Sequence, residues 1–333
     1  MHNWGNFYNA TKDPQFVTET CWNLDSYSRP ETLKACMGLD VEQFNERGWH
    51  HKWKELTSHE LHTKFPFSDY HHAATLKDYL RSLEIEHAQS DYHALSYLRL
   101  RSSSCSGILY WSLNKGGPLF GFGCVDYKGI PMMSYYTLKR VLSDVLVGIH
   151  RYMDDIHVVA SNLTREPIQG QIRVTHMNAE GRVIKQWQQP DTVASDETRR
   201  VFTLESYYRE ILDRTNEVIH VQWIIGDVIV SDDTLFFCTL SEFEPVPNPI
   251  RIKVLKTDRT DAWTLEIEGE SVSKLLMLEG SHKMLCSDNY FTLAPGTKKQ
   301  IDVEILERTG DEEGLRLTVS SLDVPGEIVL ELK

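Results

Sequence analysis

Four stretches in the last third of the chain alternate apolar and polar residues: Ile250-Arg251-Ile252-Lys253-Val254, Trp263-Thr264-Leu265-Glu266-Ile267, Ile301-Asp302-Val303-Glu304-Ile305 and Leu315-Arg316-Leu317-Thr318-Val319. A period of two sends alternate side chains to opposite faces of a strand, so each stretch reads as a strand with one buried and one wet face. Strands of that kind belong to antiparallel sheets that pack in pairs. The segment from about Val147 is also strand-like, with Ile156–Ala160, Gly170–Val174 and Val218–Trp223 separated by turn signals such as Asn178-Ala179-Glu180-Gly181. Ser206–Arg214 reads as one short helix within it. Between the two regions, Glu242-Phe243-Glu244-Pro245-Val246-Pro247-Asn248-Pro249 reads as an extended linker, because its prolines cannot donate to a sheet ladder. Two immunoglobulin-like β-sandwiches follow from this pattern, over 147–244 and 245–333.

Residues 1–146 have a different character, rich in aromatic and histidine residues. Gln15–Glu19 reads as a short strand ending on a carboxylate, and Pro30 opens a helix that closes near Gly38. Leu76, Leu80 and Leu83, then Ala88, Tyr92 and Leu95, recur at helical spacing, which predicts a helix from about Ala73 to Arg99. Gly107-Ile108-Leu109-Tyr110-Trp111 is a continuous apolar run, as in a strand covered on both faces, and Pro131 precedes a helix from Met132 to about Leu146. The order strand, helix, strand, helix predicts parallel βαβ units.

The balance of 35 Lys+Arg against 48 Asp+Glu, a net charge of −13, argues against nucleic acid as a partner, since phosphates demand clustered basic residues. No run of about 18 apolar residues exists to span a membrane. Cys21, Cys36, Cys105, Cys124, Cys238 and Cys286 are scattered without a CxxC pair, which favours free thiols in a reducing, cytoplasmic setting, as does the lack of a secretory leader. His59 and His62 stand at i, i+3 but no carboxylate pattern completes a metal site, so no metal is expected. Asn9-Ala10-Thr11 and Asn162-Leu163-Thr164 are formal glycosylation triplets.

Several motifs go further. Phe16-Val17-Thr18-Glu19 resembles the nucleophile strand of family 2 glycoside hydrolases, and Gly107–Asn114 resembles the last barrel strand of their β-mannosidase branch. Val125-Asp126-Tyr127-Lys128-Gly129 and Ser134-Tyr135-Tyr136 fit the continuation, and Ser287–Gly296 resembles a signature of the C-terminal sandwich of the same enzymes. The ordered set runs across essentially the whole chain. It implies the end of a (β/α)8 barrel over 1–146, its last two βα units, ahead of the two sandwiches.

The resemblance implies a retaining exo-β-glycosidase acting on terminal β-mannosides, with Glu19 as nucleophile. Retaining enzymes use two carboxyl groups about 5–5.5 Å apart, at the C-terminal ends of barrel strands, and need no cofactor. Trp111 would be the platform for a sugar ring, while His2, Trp4 and Asn114 would line the sugar pocket. There are departures: Thr20-Cys21 stand where the family has an aromatic residue and glycine, and Lys115 replaces an aspartate after Asn114, altering the rim of the pocket.

In the family the acid/base glutamate follows an asparagine well upstream of the nucleophile. Asn45-Glu46, in a solvated helix-like stretch, and Asn216-Glu217, in the first sandwich, are the formal matches and neither is convincing. The expectation is therefore a chain inactive alone, whose partners are a glycoside substrate and the missing N-terminal half of the enzyme. The alternatives are a non-catalytic β-sandwich protein that binds carbohydrate or protein, and another family 2 activity, exo-β-glucosaminidase or β-glucuronidase.

Overall fold

The computed structural model describes residues 15–20, 26–38, 40, 42, 75–101, 105–118, 120–121, 123–240, 242–244, 246, 249–255, 257, 259–309, 314–322 and 327–332. The chain divides into two compact units, 1–98 with 104–138, and 99–103 with 139–333.

The elements from β1 to the start of α3 belong to the first unit: β1 (Val17–Thr20), β2 (Ser26–Tyr27), α1 (Pro30–Met37), α2 (Leu76–Ser96), β3 (Ile108–Tyr110), β4 (Phe120–Gly121) and α3 (Met133–Val141). Pro30 occupies the first turn of α1, where a missing N–H costs nothing, and Gly38 closes it in the left-handed region at φ 63°. Thr75 and Asp78 form a reciprocal capping box on α2. β1 and β3 are parallel, with Val17 opposite Ile108 and Thr20 opposite Tyr110, as the strand-helix-strand order requires. The Phe16 ring packs over Gly107, where a Cβ would push it aside.

In the second unit, β5 (Val145–Tyr152), β6 (Asp155–Asn162) and β9 (Glu197–Leu204) form one sheet. β7 (Ile168–Asn178), β8 (Val183–Val193), β10 (Glu217–Ile225) and β11 (Val228–Phe236) form the other, in the order β11-β10-β7-β8. Ile156, Val158, Ile172, Val174, Ile219, Val221 and Trp223 fill the space between them. Each such side chain contributes roughly 1.5–3 kcal/mol by leaving water. Side chains of β11 satisfy the open edge of β5: Ser231 accepts from Val147 N at 2.9 Å and Asp233 from Ile149 N at 3.0 Å.

The second sandwich pairs β12 (Arg251–Leu255), β13 (Ala262–Glu268), β17 (Lys298–Glu307) and β15 (Lys283–Cys286) against β16 (Phe291–Leu293), β14 (Ser273–Gly280), β18 (Leu315–Ser320) and β19 (Ile328–Leu332). The alternation is realised in β13, β17 and β18, where Leu265, Ile267, Ile301, Val303, Leu315, Leu317 and Val319 are buried. It is not realised in β12, an outer strand of its sheet, where Ile252 is only half-buried and Val254 is exposed.

Four further expectations change. α3 stops at Val141, not near Leu146, because the Ser143–Asp144 turn leads directly into β5. The helix expected over Ser206–Arg214 shrinks to a 3-10 turn, Tyr207–Glu210. The segment expected as a bare linker is docked: Phe243 is buried with Met177, Ala179, Val218 and Val272, and Lys274 Nζ donates to the carbonyls of Leu240 and Phe243. β3 is covered on one face only, since Leu109 remains 54% exposed and Trp111 55%. A run of apolar residues reports hydrophobicity, and says nothing about whether a second layer exists to cover it.

Candidate functional site

The register of β1 and β3 brings two of the expected site residues to one end of a parallel pair. Glu19 is the third residue of β1, next to Thr20, whose partner is Tyr110; Trp111 follows Tyr110 directly. Asn114 lies in the turn beyond, exposed, in a parallel bridge with Val125. His2 and Trp4 lie outside the described residues, as do Asn9-Ala10-Thr11, His59, His62 and Asn45-Glu46. Leu109, Trp111 and Leu113 are all more than half exposed, so this end of the strand pair carries an open apolar face.

The opposite face rests on α2. Its buried stripe is Leu76, Leu80, Leu83, His87, Asp91 and Leu95, so two polar residues stand within it at i, i+4. The Tyr110 hydroxyl donates to Asp91 Oδ2 at 2.9 Å, and His87 Nε2 lies 3.5 Å from the same oxygen. Asp91 Oδ1 and His87 Nδ1 have no hydrogen-bond partner among the described residues. Burial pushes the Asp91 carboxyl up to about 7, against the Tyr110 hydrogen bond, which favours the ionised form. Burial, with the charge of Lys115, holds His87 down to about 3, so its ring is neutral. Burial and then Asp91 push the Cys124 thiol up to about 12, which makes it an inert thiol.

Lys115 departs from the place expected for it on a pocket rim: it is only 2% exposed, and its charge lowers the pKa values of His87 and Cys124. The turn that buries it is held by Lys115 N to Val125 O (3.0 Å) and Val125 N to Leu113 O (2.9 Å). Gly123 permits this approach, since a Cβ there would lie 2.6 Å from the Asn114 carbonyl carbon.

Two carboxylates that sequence reasoning did not single out hold the helices. Buried Asp126 accepts from Thr32 Oγ1 (2.5 Å) and Arg29 N (3.3 Å) at the start of α1, and from Lys128 N (2.7 Å) within its own turn. Glu84 on α2 accepts from Met133 N at 2.8 Å, capping α3. Asp126 belongs to the motif Val125–Gly129, so its place was visible but its role was not.

In the first sandwich, Glu217 of the Asn216-Glu217 pair is committed to structure: its Oε2 lies 2.9 Å from His176 Nε2, and His176 Nδ1 lies 3.1 Å from the Tyr207 hydroxyl. Among the described residues, no group of three or more His, Cys, Asp or Glu is placed to hold a metal ion, and no helix is long and apolar enough to cross a membrane.

These elements define a class: tandem immunoglobulin-like sandwiches preceded by a small α/β segment with a parallel strand pair. Residues 154–240 match the family described as a mannosidase Ig/CBM-like domain, and residues 247–323 match an Ig-fold domain family. An exo-β-D-glucosaminidase of Arthroderma benhamiae is 28% identical over 119 residues, which are 34% of this chain and 12% of that protein. The fold is that of the β-D-mannosidase from Dictyoglomus thermophilum over 97% of this chain and 40% of that one, with a TM-score of 0.80 at 18% identity. It is also that of the exo-chitosanase CsxA of Amycolatopsis orientalis over 98% of this chain and 44% of that one, with a TM-score of 0.72 at 14% identity. By its two sandwiches and its fold, the chain is related to the C-terminal portion of β-mannosidase-like family 2 glycoside hydrolases. It spans less than half the length of these relatives.

Proposed function

We propose that the chain is the C-terminal portion of a retaining exo-β-glycosidase that removes terminal β-mannosyl residues, with residues 1–146 supplying the last two βα units of a (β/α)8 barrel. The observation that carries this reading is the placement of Glu19 and Trp111 at the C-terminal ends of adjacent parallel strands, beside an open apolar face. Catalytic residues of such barrels sit at strand C-termini, and the inner face of a barrel strand is covered only when the ring closes.

The Glu19 carboxylate attacks the anomeric carbon as the bond to the leaving oxygen breaks, forming a glycosyl ester. An acid/base carboxyl supplied from outside this chain protonates the leaving oxygen. It then takes a proton from the water that hydrolyses the ester. Trp111 offers its ring to the C–H face of the sugar. His2, Trp4 and Asn114 complete the pocket, and no cofactor takes part.

The reading is tested by treating the assembled enzyme, this chain with its upstream portion, with a 2-fluoro-β-mannosyl fluoride and mapping the labelled peptide. A label on Glu19, together with negligible hydrolysis of aryl β-mannosides by this chain alone, is expected. A label elsewhere overturns the nucleophile assignment, and full turnover by this chain alone overturns the need for a second part.

A second reading, exo-β-glucosaminidase, is supported by the 28% identical relative and by the chitosanase fold. Comparing kcat/KM for aryl β-mannosides and aryl β-glucosaminides separates the two.

A further inference from the structure

The outer face of the β11-β10-β7-β8 sheet is only partly covered. Toward one end the second sandwich rests on it, with Gln222 Nε2 donating to Thr297 Oγ1 at 3.3 Å and Lys299 Nζ 3.4 Å from Asp232. Where that cover stops, a groove of about 590 Å3 opens between the strand ends. Strand register explains its composition. Gln171 stands opposite Pro190 on β8 and Ile224 on β10, and Arg173 stands opposite Gln188 and Gln222. Residues opposite one another share a face, so amides, a guanidinium and an apolar floor converge on one surface.

The charge pattern narrows the ligand. Arg173 has no carboxylate partner among the described residues, although acidic residues outnumber basic ones, 48 to 35. Its Nε points to Gln188 Oε1 (3.3 Å) and its Nη1 to Gln222 Oε1 (3.4 Å), so it is steered by neutral amides that leave its charge in place. Gln188 in turn donates to Gln171 Oε1, which sets the amide orientations along the row. Asp227 lines the same groove and offsets the guanidinium, so the lining carries no net charge. Ile224, Ile229 and Pro190 supply an apolar floor. Alternating donors and acceptors above such a floor match a molecule with hydroxyls on its rim and C–H groups on its face.

We propose that this groove, whose lining residues all belong to the first sandwich, binds a neutral oligosaccharide. Its volume lies within the range of ligand pockets, roughly 300–1,000 Å3. With aliphatic rather than aromatic residues as its floor, it holds the sugar weakly. The site stands on the chemistry of the groove and takes from the glycosidase reading only the choice of probe.

The test is an NMR titration of the full isotope-labelled chain with β-linked mannotetraose, cellotetraose and an oligogalacturonate. The expected result is amide shift changes at 169–173, 188–190 and 224–229 with a neutral oligosaccharide. Gln171→Ala and Arg173→Lys should each weaken binding about tenfold, the worth of one or two hydrogen bonds. Gln171 is exposed and Arg173 partly exposed, and unchanged amide shifts elsewhere in the sandwich verify that each variant is folded. The proposal is overturned by an absence of shifts at millimolar concentrations of both neutral oligosaccharides. Tighter binding of the oligogalacturonate, or shifts that neither variant alters, overturns it equally. None of these outcomes bears on the labelling of Glu19, so the two readings fail separately.

Discussion

Arg140, in the last turn of α3, is paired with Asp288, in the loop between β15 and β16. Its guanidinium also donates to the carbonyls of Asn289 (2.9 Å) and Tyr290 (3.1 Å), while Lys139 Nζ donates to the Ser287 carbonyl at 2.6 Å. Asp288 continues the chain of charges through Lys299, 3.4 Å away, to Asp232 on β11. The loop motif Ser287–Tyr290 thus grips the end of a helix and ties the two sandwiches together.

Removing Arg140 leaves Asp288 partly buried with Lys299 as its remaining charged partner, and leaves the Asn289 and Tyr290 carbonyls without their donor. Arg140→Ala should destabilise the second unit by about 2 kcal/mol, below the 3–5 kcal/mol of a fully buried pair because the Arg140 side chain keeps 32% exposure. Burial acts to raise the Asp288 pKa, but Arg140 and Lys299 overcome it and hold the carboxyl below its ordinary 3.8. A depressed carboxylate stabilises above its unfolded value, and that contribution is lost as pH falls through the folded value. The gap between wild type and variant in urea unfolding should therefore be full at neutral pH and close below about 3.8. A gap independent of pH would show that the loss is packing rather than charge.

Asp91 gives the opposite sign. Its folded value of about 7 lies above the ordinary 3.8, so the folded state binds a proton that the unfolded state has released. The cost of burying it is absent below about 3.8, grows as pH rises, and levels off above about 7. Asp91→Asn keeps an acceptor for the Tyr110 hydroxyl and removes the charge. Relative to wild type, the variant should gain protection of the α2 amides against hydrogen exchange between pH 4 and 7, reaching an advantage of a few kcal/mol. His87 titrates in the same region with its own penalty on acidification, so the comparison is variant against wild type at each pH. An advantage that does not change with pH would mean that Asp91 stays ionised throughout.

The strands of the sandwiches were legible because alternation is local: Leu265 and Ile267 face inward wherever the partner sheet comes from. The parallel pairing of β1 and β3 was legible from element order alone. What local pattern does not carry is the identity of the non-local neighbour. Leu109 and Trp111 have the sequence of a double-sided core and are exposed. Lys115 has the sequence position of a rim residue and is buried by a turn that depends on Gly123, eight residues away. His87 and Asp91 interrupt an apolar stripe at i, i+4, a visible signal whose meaning required Tyr110 from a different strand. At the candidate site, Glu19 and Trp111 could be named from motifs, but their common strand end came from register.

Glycines near the site separate two kinds of constraint. A Cβ at Gly123 would meet the backbone of Asn114 and Lys115 at 2.6 Å, and backbone cannot swing aside. Gly123→Ala should cost about 1–3 kcal/mol and disturb the turn that carries Asn114. At Gly116 and Gly117 a Cβ would find nothing within 4 Å, and neither has a positive φ, so Gly117→Ala should be neutral within about 0.5 kcal/mol. Thermal denaturation of the two variants side by side decides the point, and equal melting temperatures would refute the steric argument.

Asn162 begins a glycosylation triplet, yet it is completely buried at the end of β6. Its Nδ2 donates to the carbonyls of Glu166 (2.8 Å), Val193 (3.2 Å) and Ala194 (3.0 Å), and its Oδ1 accepts from Thr164 N (2.9 Å) and Oγ1 (2.6 Å). A glycan on Nδ2 would destroy these bonds and has no route to solvent from a side chain at 0% exposure. Folded protein made in a glycosylating host should carry an unmodified Asn162, read by peptide mass mapping. Asn162→Ala should cost about 2–4 kcal/mol, because it removes the whole set of bonds that closes the loop and strands the buried Val193 carbonyl. A glycan found on Asn162 of the folded, monodisperse protein would overturn this reading of the loop.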